Sequence, residues 1–63
     1  MRDLNRIKPF CEELSALWEN HPDLRFGQIM HNLEGYCQWE KKKDMLYIED
    51  DELMEIIREQ LRA

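Results

Sequence analysis

The sequence predicts a compact all-α fold of three short helices, and three observations carry that prediction. Apolar residues recur at spacings of three and four along most of the 63-residue chain. Glycine and proline number only two each, and three of the four stand where a helix would start or stop. Hydrophobic residues make up 43% and charged residues 37%, the balance of amphipathic helices packed on one another rather than of a disordered chain. Residues 1–63 therefore form a single small domain. A domain this short hides only roughly 60% of the surface of its unfolded chain, so regular helix packing or a partner must make up the deficit.

The first helix is expected over residues 5–20, where Leu4, Ile7, Cys11, Leu14 and Trp18 form a stripe that Phe10 and Leu17 widen. Pro9 is tolerated if Asn5 or a nearby residue caps the helix, because the first turn has no intrahelical N–H bond to lose; the residues before it then form a separate turn. The segment Glu19-Asn20-His21-Pro22 ends the helix, since a residue before proline is pushed out of the α region.

The second helix is expected from residue 23, with Pro22 and Asp23 in its first turn and Phe26, Ile29, Met30 and Leu33 as its stripe. Two ends fit the pattern: a glycine cap at Gly35, or a longer helix to about Trp39 that carries the stripe on through Tyr36 and Cys37. The polar, charged run from Gln38 to Tyr47 is the connection before the last element, and Met45-Leu46-Tyr47-Ile48 at its end reads as a short extended stretch lying across the helices. A lone strand has nothing to pair with, so no sheet is expected.

The third helix is expected over residues 49–62, on Leu53, Ile56, Ile57 and Leu61. Glu49 or Asp50 serves as its N-cap, and with Glu49 as cap Ile48 packs on Leu53 as a staple. Acids in the first turn and Arg58 and Arg62 near the end match the helix macrodipole. One or two acids suffice for a cap, yet Asp44, Glu49, Asp50, Asp51 and Glu52 place five in nine residues. Capping alone therefore leaves part of the run unexplained, and an acidic surface for a partner takes up the rest.

The formal net charge of −5 is concentrated there. Residues 1–43 hold seven Lys/Arg and seven Asp/Glu, whereas residues 44–63 hold two against seven. Direct nucleic-acid binding needs a net basic face and is not expected. No apolar run is long enough to span a bilayer and Met1-Arg2-Asp3-Leu4-Asn5-Arg6-Ile7-Lys8 has no signal-peptide core, which predicts a cytoplasmic protein without a membrane partner. Reduced, Cys11 and Cys37 read as small buried hydrophobes.

The segments His21-Pro22-Asp23-Leu24-Arg25-Phe26-Gly27-Gln28 and Tyr47-Ile48-Glu49-Asp50-Asp51-Glu52-Leu53 together resemble a group of short bacterial and phage-type proteins without an established activity. The likeness runs from about Arg6 to Leu61; that group carries Pro-Phe before the tyrosine where this chain has Met45-Leu46. It implies a compact helical fold and a bacterial, phage or mobile-element origin, and implies no mechanism.

No catalytic residue and no cofactor are expected. The single serine, Ser15, lies inside a helix, threonine is absent, and no glycine loop could cradle a phosphate. No metal site is expected either: the Cys and His spacings preset no ligand geometry and the acidic run lacks the glycine turn of a calcium loop. The reading is a protein-interaction module that acts by binding. Its candidate contact residues are Asp44, Glu49, Asp50, Asp51 and Glu52 for a partner with a basic surface, Trp39 as an exposed anchor, and Arg25 with Gln28. Arg25 has a structural reading as well, pinning the last helix through Asp50 or Glu49. Two other functions fit the same residues: an acidic mimic of nucleic acid that blocks a DNA- or RNA-binding protein, and a homodimer with no other partner, its surplus aromatic area buried against itself.

Overall fold

The computed structural model describes residues 2–62. It consists of three α-helices, α1 (Ile7–Trp18), α2 (Phe26–Trp39) and α3 (Asp50–Leu61), with 3-10 turns at Leu4–Arg6 and Met45–Tyr47, and has no strand among the described residues. The all-α, three-helix expectation holds. Helix α3 lies between the other two and packs on both. The result is a flat body of 36 × 27 × 18 Å.

Asp3 caps the first 3-10 turn by accepting the Asn5 N–H at 2.9 Å. The turn feeds into α1, where Pro9 is the third residue and costs no hydrogen bond. Helix α1 ends at Trp18, two residues before its expected end, and α2 starts three residues after its expected start. The reason is the connection, in which His21 N–H donates to Trp18 O at 2.8 Å and Leu24 N–H to His21 O at 3.1 Å. These turns occupy Pro22 and Asp23, so α2 begins at Phe26. Trp18 fastens the connection: its indole N–H donates to Leu24 O at 2.8 Å, and its ring meets that of Phe26 at 5.7 Å between centroids.

Of the two ends open to the second helix, the longer is adopted. Gly35 is an ordinary interior residue, no glycine has positive φ, and α2 ends only after Trp39, where Glu40 N–H donates to Tyr36 O at 2.8 Å. Lys42, with φ of 56°, reverses the chain. Lys43 N–H then donates to Cys37 O at 3.1 Å.

The segment Met45–Tyr47 corrects the extended stretch expected there. The Asp44 carboxylate accepts the Leu46 N–H at 3.0 Å, and Tyr47 N–H returns to Asp44 O at 2.9 Å, closing a tight turn. Of residues 45–49 only Ile48 and Glu49 are extended, and they lead straight into α3.

The core is made by α2 and α3. Ile29, Leu33 and Cys37, spaced four apart on α2, meet Ile48 and Met54, Ile56, Ile57 and Leu61 of α3; burying one such aliphatic side chain contributes about 1.5–3 kcal/mol. Helix α1 contributes Phe10, Leu14, Leu17 and Trp18, all partly covered, and has no buried residue. Its stripe is turned from the expected direction. Phe10 and Leu17 face the core while Leu4, Ile7 and Cys11 face outward. Cys11 is therefore exposed, against the expectation of two buried thiols, because the core takes only one edge of a stripe wider than α3 can cover.

Candidate functional site

Glu49 has the extended backbone of an N-cap, and its carbonyl accepts the Leu53 N–H at 2.9 Å. Its side chain makes no cap bond. It receives the Arg2 guanidinium in a two-pronged ion pair, Arg2 Nη1 on Glu49 Oε2 and Nη2 on Oε1, the latter at 2.9 Å. Asp50 meets Arg6 Nε at 3.0 Å, and Glu52 meets Lys43 Nζ at 3.5 Å. Asp51 accepts the Glu52 N–H at 2.8 Å, and Asp44 holds the preceding turn. Three of the five candidate carboxylates thus face a cation of the same chain, and the other two bond to the backbone.

The arginines at this end of α3 correct the expectation for Arg25. Arg2 and Arg6 reach Glu49 and Asp50, the residues that Arg25 was expected to pin. Arg25 instead occupies the N-cap of α2, where its backbone N–H donates to Gln28 Oε1 at 2.8 Å. Arg25 and Gln28 are consequently brought to each other and not to the acidic run. The local reason is the extended backbone of Arg25, which aims its N–H at the third residue of the helix.

Two further contacts fasten the chain to α3. Arg58 grips Glu13 of α1 by two hydrogen bonds, Nε to Oε2 and Nη2 to Oε1, the latter at 2.9 Å. The His21 ring sits at the far end, with Nε2 at 3.1 Å from Leu61 O and 3.2 Å from Arg62 O; both partners are acceptors, so Nε2 carries the hydrogen. The hydrogen-bonded Arg58 holds the Glu13 carboxyl below its ordinary pKa, and Arg2 does the same for Glu49, with Arg6 adding to it. Burial raises the Cys37 thiol.

The exposed apolar residues are the other half of the site. Trp39 closes α2 with 76% of its surface exposed, as its place beside the charged connection led us to expect. Leu46 and Tyr47 are 81% and 80% exposed and are not among the contact residues the sequence singles out. The signal available was Asp44: an aspartate that binds a backbone N–H two residues on makes a turn, and a turn that packs Met45 against the core presents its next two side chains to solvent.

Among the described residues no three His, Cys, Asp or Glu side chains converge as metal ligands, and no helix is long and apolar enough to cross a membrane. The chain matches no known protein family, no curated protein and no solved structure in comparisons with each. What the site offers chemically is a firm, exposed aromatic and aliphatic pair with carboxylates on either side.

Proposed function

We propose that this protein is an interaction module that works by occupying a partner's surface, with Leu46 and Tyr47 as its principal contact. The observation that carries the reading is the exposure of both side chains on a turn that Asp44 and Ile48 fix in place. Side chains presented on a backbone already fixed add no backbone ordering to the cost of binding, and tyrosine and tryptophan are overrepresented among the residues that dominate interface energies. Trp39 supplies a second anchor at the end of α2. Asp44 and Asp51, which meet no cation among the described residues, favour a partner whose apolar pocket has a basic rim.

The nucleic-acid mimic ranks below this reading. A mimic has to present its carboxylates free, and Glu49, Asp50 and Glu52 are each engaged by an internal cation.

The test is an affinity capture from bacterial lysate with wild type and a Leu46→Ser, Tyr47→Ser double variant side by side. Side chains this exposed change stability by no more than about 0.5 kcal/mol each, so equal melting curves are expected. A partner retained by wild type and lost by the variant supports the proposal. Partners retained equally by both would remove Leu46 and Tyr47 from the contact.

A further inference from the structure

The apolar residues of α1 and the turn before it span a wider arc than the core covers: Phe10, Leu14, Leu17 and Trp18 pack on the core, while Leu4, Ile7 and Cys11 are left exposed. Leu4, Ile7, Cys11, Leu14 and Trp18 repeat at alternating spacings of three and four, the pattern of a helix seam that meets another helix. In the folded chain Leu4 is 77% and Ile7 45% exposed, and Cys11 is exposed too. The two ends of this seam differ in shape. Leu4 and Ile7 project from the N-terminal end. At the C-terminal end a shallow cleft of about 360 Å³ is lined by Cys11, Leu14, Ser15, Trp18, Glu19 and Pro22.

We infer that this face binds a second copy of the chain, the two α1 helices lying antiparallel about a twofold axis. A twofold contact must be self-complementary, because the same patch is used by both copies. This face is so in two independent respects. In shape, an antiparallel register that sets Ile7 against Trp18 of the other copy brings both projecting side chains over the other copy's cleft, and the symmetry repeats the fit at the opposite end. In charge, the projecting end carries Lys8 and the cleft is lined in part by Glu19, so the same register brings each lysine near the other copy's glutamate. Neither Lys8 nor Glu19 makes an ion pair among the described residues; of the other charged residues, Arg6 just before the helix and Glu13 within it are taken by Asp50 and Arg58, and Glu12 has no ion pair there either. Glu12 lies to one side of the seam, near the axis.

A contact of one helix per copy is at the small end of specific interfaces, so the dimer is concentration-dependent. It uses a different face from Leu46 and Tyr47 and does not rest on their role.

Analytical ultracentrifugation of wild type from micromolar to millimolar concentration tests it, in low salt. The average mass is expected to rise toward twice the monomer mass. Ile7→Glu, a change at an already exposed position, weakens association by about tenfold or more. Lys8→Glu alone weakens it roughly three- to tenfold by setting two glutamates face to face at both ends, and Lys8→Glu with Glu19→Lys restores it, since the swapped pair is again opposite in sign. Circular dichroism of each variant establishes that it is folded. Wild type that stays monomeric at millimolar concentration overturns the inference. So does a dimer indifferent to Ile7→Glu, or one that the double charge swap fails to recover.

Discussion

Replacing Gly35 by alanine is expected to stabilise the protein, and the sign of the effect tests the course of α2. Gly35 lies in the interior of the helix with negative φ, and a Cβ built on it meets no atom within 4 Å. Nothing has to move to admit a methyl group. In such a position alanine is favoured over glycine by about 0.5–1 kcal/mol, partly because the unfolded chain loses freedom. For a domain of this size each kcal/mol moves the melting temperature by roughly 4–8 °C, so a rise of about 2–8 °C is expected in a thermal melt followed at 222 nm. Gly27 serves as the comparison. It too has open space at its Cβ, but it is the second residue of α2, where the backbone is less confined, and Gly27→Ala should gain less. Had the helix stopped at a glycine cap, Gly35 would stand in the left-handed region, and alanine there would cost about 1 kcal/mol instead. A lowered melting temperature for Gly35→Ala refutes the continuous helix.

Three further outcomes can be checked by simple means. Lys42, a non-glycine residue with φ of 56°, should tolerate glycine with a gain of about 0.5–1 kcal/mol, and a fall in stability would show that its side chain does more than reverse the chain. Acid should destabilise the fold through Glu13 and Glu49, whose folded pKa values lie below their ordinary ones. Their contribution is complete above the unfolded pKa of about 4.3 and is lost as pH falls through the lower folded values, so melting temperature should decline below that pH, and less steeply in a Glu13→Gln, Glu49→Gln double variant; parallel declines would contradict the assignment. Finally, a thiol reagent should modify one cysteine quickly, the exposed Cys11, while Cys37, buried and with its thiol raised, reacts only as the chain unfolds; two fast thiols would mean that the α2–α3 core is open.

The helices were readable because their signals are local. Ile29 and Leu33 are one turn apart, Asp50, Asp51 and Glu52 sit at an N-terminus, and each fact involves neighbours within a few residues. What escaped depends on which part of the chain lies alongside. The apolar stripe of α1 was visible, but only the position of α3 decides that Phe10 and Leu17 turn inward and Ile7 and Cys11 outward. Likewise Arg2 and Glu49 are 47 residues apart in sequence, and nothing local prefers Arg2 over Arg25 as the partner. The exposed pair escapes for a different reason: Met45-Leu46-Tyr47-Ile48 reads as an extended stretch lying across the helices, whereas the turn at Asp44 sends Leu46 and Tyr47 out to solvent.

The way α1 is attached has a consequence for how the chain comes apart. With no fully buried residue, it is fastened to α3 by partly covered side chains and by solvent-exposed ion pairs at Arg2, Arg6 and Arg58, whereas α2 and α3 share the sealed interior. Free energies of local opening follow such differences in burial. The amides of α1 should therefore exchange with deuterium through detachment of that helix alone, at a lower free energy than those of Leu33 or Ile57, which wait for global unfolding. Salt, by screening the arginine pairs, should narrow the protection of α1 and leave that of the α2–α3 pair unchanged.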